Sequence, residues 1–154
     1  MSFPSLPALA PARLSQVYGH PDNAGMAQEA FNYMRISVTR WLSRFPGLAS
    51  NRGQFNAIHS TLASTRQLCV YAELYGMGAK VILPPGANPD GRKSDKVLSQ
   101  AFKAYAWGIY YDCGGQPALD EWIARFLDYY RQANPYTDWV IAINNFVAAS
   151  SSTA

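Results

Sequence analysis

Charge, cysteine and histidine are all scarce in this 154-residue chain. Asp, Glu, Lys and Arg make up 15% of the residues, and there are two cysteines and two histidines. Cys69 and Cys113 are too few for a disulfide framework or a four-ligand zinc site. No apolar run approaches the roughly 18 residues of a membrane span. The opening residues lack a basic leader and an uninterrupted apolar stretch, so we do not expect a signal peptide.

Motifs of common enzymes and metal sites are also missing. The patterns GxxxxGK[ST], GxGxxG, HExxH and GxSxG do not occur. Neither His20 nor His59 has a partner at a catalytic or metal-binding spacing, and His59 is expected on a helix surface. The turn at residues 88–95 lacks the terminal Glu of a calcium loop. We therefore predict a protein that is not an enzyme and has no cofactor, metal or small-molecule substrate. An enzyme built from scattered residues is the alternative.

Apolar and aromatic residues, in contrast, are abundant. Hydrophobic residues make up 49% of the chain, which contains 10 Tyr, 7 Phe and 4 Trp. This composition argues against disorder, and a chain of this length can bury a core as one domain. Aromatic residues and Arg are enriched where subunits meet. The chain thus has a core but few charges to keep it soluble on its own.

The net charge of +3 is unevenly distributed along the chain. Residues 1–66 carry six Arg against Asp22 and Glu29, whereas residues 104–154 carry two Arg against five acids. The guanidinium group of arginine can donate two parallel hydrogen bonds to a phosphate and is weakly hydrated, so arginine suits contact with a polyanion. The gradient favours a nucleic-acid function; a solvated basic face is the alternative.

Proline and apolar residues together define an N-terminal arm over residues 1–23. Pro4, Pro7, Pro11 and Pro21 disfavour regular helix there. Six apolar side chains in the same stretch would be unnecessary in a solvated tail. We therefore expect an extended arm that lies on a neighbouring subunit, with packing on its own domain as the alternative.

Helical periodicity predicts about five helices after the arm. The first three cover residues 24–45, 52–75 and 95–112, and two more follow from Pro117, separated at Asn134-Pro135. Asn51 with Gln54 predicts a cap for the second helix, and Ser94 or Asp95 a cap for the third.

The predicted fold class is therefore all-α, with an extended arm ahead of the helices. The remaining parts are a helix-turn-helix-like basic portion (24–78), a Pro/Gly-rich loop (79–94), a C-terminal helical bundle (95–149) and a small polar tail (150–154). In the basic portion, each of the two predicted helices carries an arginine-bearing face beside its apolar stripe.

Residues 114–147 have a distinctive order of features. Gly114-Gly115-Gln116-Pro117-Ala118-Leu119 opens a helix, Tyr129-Tyr130 follows, and Ala133-Asn134-Pro135 separates that helix from a final apolar one. This stretch resembles the major coat proteins of rod-shaped and filamentous archaeal viruses with linear double-stranded DNA, the rudivirus, lipothrixvirus and tristromavirus group. The arm running into residues 14–19 is similar in character. The clear match covers about a quarter of the chain, and the PPGANPDG loop and low Lys content depart from it.

The resemblance implies a coat protein that polymerises helically around DNA held in A-form. It implies a homodimer or a pair of paralogous subunits, with a lipid envelope outside the coat in some members. The location would be the virion, and the host cytoplasm during assembly. The DNA contacts it implies are Arg13, Arg35, Arg40, Arg44, Arg52 and Arg66, with Asn56 and His59 on the basic face of the second helix.

The net charge of the chain is compatible with wrapping DNA only if uncharged groups also contact the phosphates. Double-stranded DNA carries one charge per roughly 1.7 Å of its axis, whereas residues 1–103 have a net charge of only +6. Polar donors and backbone N–H groups must contribute as well. No base-reading helix is apparent, so we expect sequence-independent contact. The alternatives are the coat protein of a helical single-stranded RNA virus and a small helical DNA-binding regulator.

Overall fold

The computed structural model describes residues 1–152, which are predominantly helical. The α-helices are α1 (Pro11–Val17), α2 (Ala24–Leu42), α3 (Pro46–Ala49), α4 (Arg52–Leu62), α5 (Thr65–Leu74), α6 (Asp95–Asp112), α7 (Gly115–Ala133) and α8 (Asp138–Ser152). Two 3₁₀ helices, Met77–Lys80 and Pro89–Lys93, lie between α5 and α6. Within the described range the only β-type pairing is one isolated bridge. The all-α class is confirmed, and residues 1–152 contain eight α-helices where about five are predicted.

The N-terminal segment is extended only as far as residue 10. Helix α1 begins at Pro11, so the prediction that the prolines exclude helix throughout the arm is wrong. Proline is tolerated at the first helical position because the N–H that it lacks would have no partner there. Pro4 and Leu9 are buried within the same chain. In this structure the segment therefore packs on its own domain, the arrangement given above as the alternative.

Helix α2 begins the basic portion and places its predicted apolar stripe in the core. Met34, Val38 and Trp41 are buried. The helix ends at Leu42, three residues before the predicted end. The short helix α3 then turns the chain toward α4.

The predicted second helix, residues 52–75, is two helices. Ser64 accepts a hydrogen bond from the backbone N–H of Gln67 and caps α5. At the start of α4, the Asn51 side chain accepts from the Gln54 N–H at 3.1 Å, which confirms the predicted cap. The break matters for function because it places Arg66 on a different helix from the other basic residues of this stretch.

The loop between α5 and α6 is tied to the N-terminal part of the chain. Ile82 donates its N–H to the Tyr18 carbonyl, and His20 donates to the Ile82 carbonyl. Ser94 accepts from the Val97 N–H and caps α6, as predicted.

Helices α6 and α7 supply much of the core. Helix α6 has the predicted bounds, and its predicted core face is buried: Leu98, Phe102, Tyr105 and Ile109. The predicted face of α7 is buried too: Leu119, Trp122, Ile123, Phe126, Leu127 and Tyr130. Phe126 meets Tyr71 of α5 edge-on, with ring centroids 4.8 Å apart. Aromatic contacts of this kind join α5, α6 and α7.

Helix α8 is buried on one side. Trp139, Val140 and Ile143 are buried, whereas Ile141 is exposed. The helix continues to Ser152, so the predicted tail is helical over residues 150–152; residues 153–154 lie outside the described part of the chain. None of the described helices combines the length and apolarity needed to cross a membrane.

Candidate nucleic-acid interface

A polar seam between α2 and α7 holds two of the predicted arginines. Arg40 pairs with Asp120 at 2.5 Å, and Arg44 approaches Asp128 at 3.9 Å. The Trp41 indole N–H donates to the same Asp128 at 2.9 Å. Both arginine side chains are nevertheless 59% exposed. Each therefore faces solvent while already having a carboxylate neighbour, which weakens the positive potential that it offers to a ligand.

Asp120 is the most firmly held acid of this seam. The Ser37 hydroxyl and the Gln116 amide donate to one of its oxygens at 2.6 and 2.8 Å, and Arg40 donates to the other. Partial burial raises the pKa of Asp120, but these hydrogen bonds outweigh that effect and leave its pKa below the ordinary value. At neutral pH the carboxylate is thus charged and holds Arg40 at the seam.

A groove of about 360 Å³ lies between α2 and α4. It brings together Arg35, Arg40 and His59 from the predicted set. The rest of its lining is Asn32, Ile36 and Thr39. This lining contains two guanidinium groups and no carboxylate. The groove therefore suits an anion such as a phosphate, which arginine and neutral polar side chains bind together.

His59 lies at the base of this groove and contacts two residues of α2. The residue is 9% exposed, and its Nε2 lies 3.1 Å from both the Arg35 carbonyl oxygen and the Thr39 hydroxyl. The expectation that His59 is a helix-surface residue is therefore wrong, because this side of α4 packs on α2. The ring joins the two helices and so fixes the shape of the groove.

Three predicted arginines have no carboxylate partner among the described residues: Arg35, Arg52 and Arg66. All three are exposed, as is Asn56 on α4. None of the three guanidinium groups forms an ion pair with a described carboxylate. They form the part of the predicted set that is best suited to bind phosphate, and we call Arg35, Arg52 and Arg66 the unpaired arginines.

Lys103 of α6 lies close to α2, a position that the sequence does not predict. Its amine lies 4.7 Å from the centre of the Phe31 ring, and the Arg35 guanidinium lies 5.8 Å from the same centre. Partial burial lowers the pKa of Lys103. Lys103 and Arg35 are 68 residues apart in the sequence, and only the packing of α6 on α2 shows that both contact the Phe31 ring.

Arg66 lies beside a different cleft, of about 580 Å³, between the α4–α5 corner and the start of α8. Asp138 and Trp139 line the same cleft. The indole N–H of Trp139 is buried and has no hydrogen-bond acceptor among the described residues. The structure therefore does not place Arg66 in the groove that Arg35 and Arg40 share.

Arg13 belongs to a separate surface, where α1 meets α6. It donates two hydrogen bonds to Asp112, at 2.7 and 3.0 Å, and lies 4.7 Å from the centre of the Trp107 ring. The hydrogen bond from Arg13 lowers the pKa of Asp112. Arg13 thus fixes α1 on α6, away from the groove.

Within the described part of the chain, no group of three His, Cys, Asp or Glu side chains is placed to hold a metal ion. Comparisons with known protein families, with curated proteins and with solved structures give no match. The groove and the unpaired arginines are the features that point to a ligand.

Proposed function

We propose that this chain is a structural coat subunit, not an enzyme, that polymerises helically around linear double-stranded DNA. The observation that carries the proposal is the set of unpaired arginines exposed on α2, α4 and α5, of which Arg35 lines the groove between α2 and α4 together with Arg40. Arginine at such positions binds phosphate without reading bases. A coat needs this kind of contact, because it must bind every stretch of the duplex alike.

Uncharged polar side chains supplement the arginines on the same helices. Asn32 and Thr39 line the groove, and Asn56 and Ser60 are exposed on α4. The amides of Asn32 and Asn56 and the hydroxyl of Ser60 can donate hydrogen bonds to phosphate oxygens that the few arginines leave unneutralised, whereas the Thr39 hydroxyl already donates to the Arg35 carbonyl. A modest net charge is therefore compatible with extended contact along DNA.

The finer architecture belongs to the same proposal. The helices α2 to α5 would form the DNA-wrapping portion, and α6 to α8 the helical bundle through which subunits meet. Exposed apolar residues on and just before α8, among them Ile141 and the 90% exposed Tyr136, support contact with another subunit. That subunit would be a second copy or a paralogue. The resemblance allows a virion with or without a lipid envelope outside the coat, because only some members of the group have one. The A-form of the DNA is part of the proposal through the resemblance alone.

Electron microscopy of the purified protein with linear duplexes at low salt tests the proposal. We expect filaments whose length follows the length of the duplex and whose DNA gives an A-form circular dichroism spectrum. Protein that remains monomeric on duplex DNA would contradict the proposal.

Two further outcomes would replace the proposed function with another. Filaments that form on single-stranded RNA alone, and that RNase dissolves while DNase does not, would identify an RNA coat. A footprint at one site, with more than about 10³-fold preference over random DNA, would identify a regulator.

A further inference from the structure

Another groove, of about 450 Å³, lies where the short helix α3 meets the C-terminal ends of α7 and α8. Two guanidinium groups line it, those of Arg44 and Arg131. Most of the other described side chains that line it are apolar: Phe45, Pro46, Phe146 and Val147. Its volume lies within the range of about 300 to 1,000 Å³ that is typical of small-molecule sites. We call it the α3–α8 groove.

Arg131 is positioned by residues of the same chain. Its Nε atom donates to the Asn144 side-chain oxygen at 2.8 Å, and its guanidinium lies 5.1 Å from the centre of the Phe45 ring. No described carboxylate pairs with Arg131, and its side chain makes no other hydrogen bond to a described residue. The N–H groups of both Nη atoms can therefore bind the oxygens of an acid. Because the guanidinium is already positioned, binding requires little further ordering of this side chain.

Arg44 supplies a second positive charge to the same groove. Its side chain is largely exposed, and the Asp128 carboxylate beside it lies 3.9 Å away, beyond hydrogen-bonding distance. Among the described residues, no carboxylate lines the α3–α8 groove. The charges of this lining therefore favour an anion.

The apolar part of the lining favours more than a bare phosphate. Phe146 and Val147 have no polar side-chain group with which to bind a phosphodiester. An aliphatic chain lying over them would remove apolar surface from water, which raises affinity about fourfold for each buried methylene. A nucleobase would fit less well, because the Phe45 ring already contacts the Arg131 guanidinium and meets Trp41 edge-on.

We infer that the α3–α8 groove binds an anionic amphiphile. The carboxylate or phosphate head would lie at Arg131 and Arg44, and the aliphatic chain along Phe146 and Val147. The inference does not rest on the proposed function, because one free chain contains the whole groove. None of the unpaired arginines lines this groove, so the two sites can be tested separately.

Isothermal titration calorimetry tests the site with matched probes below their micelle-forming concentrations. Octanoate has both the charged head and the chain, acetate has the head alone, and 1-octanol has the chain without the charge. We expect octanoate to bind saturably, with one molecule per chain. Acetate and 1-octanol should each bind at least about tenfold more weakly. Equal affinity for octanoate and either partial probe would overturn the inference.

Two variants, each with its own control, locate the ligand. Arg131→Gln should weaken octanoate binding about tenfold, because it removes the positioned cation, whereas Arg125→Gln on the same helix should not. Val147→Asp places a carboxylate in the groove and should also weaken binding, whereas Ile141→Asp, at another exposed position of α8, should not. Circular dichroism identifies the variants that fold. Unchanged octanoate affinity in either folded groove variant would overturn the inference.

Further probes distinguish the sources of such an amphiphile from a nucleic acid. Flotation with phosphatidylglycerol vesicles but not with phosphatidylcholine vesicles, abolished by octyl phosphate, would support a membrane lipid as the ligand. Saturable binding of octanoate or octyl phosphate without flotation would support a free amphiphile. Displacement of octanoate by a short oligothymidylate would assign the groove to nucleic acid and overturn the inference.

Discussion

Replacing Arg35 and Arg52 with Gln should remove two phosphate contacts and disrupt no ion pair. Both side chains are exposed, and neither has a carboxylate partner in the described chain. Each lost contact reduces the slope of log affinity against log salt by about 0.9, so the double variant should lower it by about 1.8. Between about 50 and 200 mM salt, the affinity of the variant should therefore fall about tenfold less than that of the unaltered protein.

Fluorescence anisotropy with two duplexes of unrelated sequence measures this effect. Arg125→Gln is the control for the loss of an arginine outside the proposed interface, because it removes one positive charge from α7, where Arg125 lies near Glu121. It should leave the slope nearly unchanged. Replacing Arg40 and Arg44 should weaken binding and lower the slope, but by less than the first pair, since each of them already has a carboxylate neighbour. An unchanged slope in the Arg35 and Arg52 variant, or an equal change in the control, would refute the reasoning.

Three further predictions concern the fold. Ser64→Ala should lower the free energy of unfolding by about 1 kcal/mol, because it removes the cap of α5. Ser60→Ala, at an exposed position on α4, is the control and should leave this free energy unchanged. Equal urea midpoints for the two variants would contradict the role of Ser64 as a cap. Asp120 has a lowered pKa when folded, so its stabilising effect is complete above the unfolded carboxyl pKa of about 3.9 and is lost as pH falls through the folded pKa. Urea unfolding from pH 6 to pH 2 should thus show a smaller acid loss in Asp120→Asn than in the unaltered protein; equal losses would argue against the ion pair. Burial raises the pKa of Cys69 to about 12, so alkylation at pH 8 followed by mass spectrometry should label Cys113 first; equal rates would contradict the buried placement.

Local signals explain why the C-terminal helices could be predicted in detail. The bounds of α6 follow from Ser94 as its cap and from apolar residues at spacings of three and four. The same kind of signal was present at Ser64, three residues before Gln67, and marks a helix start. This helix start is not recognised in the sequence because apolar residues keep the helical spacing from α4 into α5. Pro11 leads to the opposite error, an extended segment predicted where α1 begins. Proline disfavours the interior of a helix but suits its first turn.

The partners of the arginines could not be predicted from the sequence. Arg40 and Asp120 are 80 residues apart, and their contact depends on how α2 and α7 align in the folded chain. The sequence identifies a basic face but does not separate paired from unpaired arginines. The inward orientation of His59 likewise depends on the packing of α4 on α2.

The acids of the α2–α7 seam have a consequence for how DNA could reach this surface. Asp120 and Asp128 are eight residues apart, or about 12 Å along α7, and they present fixed anions to Arg40 and Arg44. Each guanidinium is 59% exposed and has further N–H groups, so a phosphate can bind either arginine with the carboxylate still in place. The phosphate would then lie close to a fixed negative charge, and binding at the seam would gain less than binding at an unpaired arginine. Before DNA binds, the subunit provides its own counter-ions at these two positions.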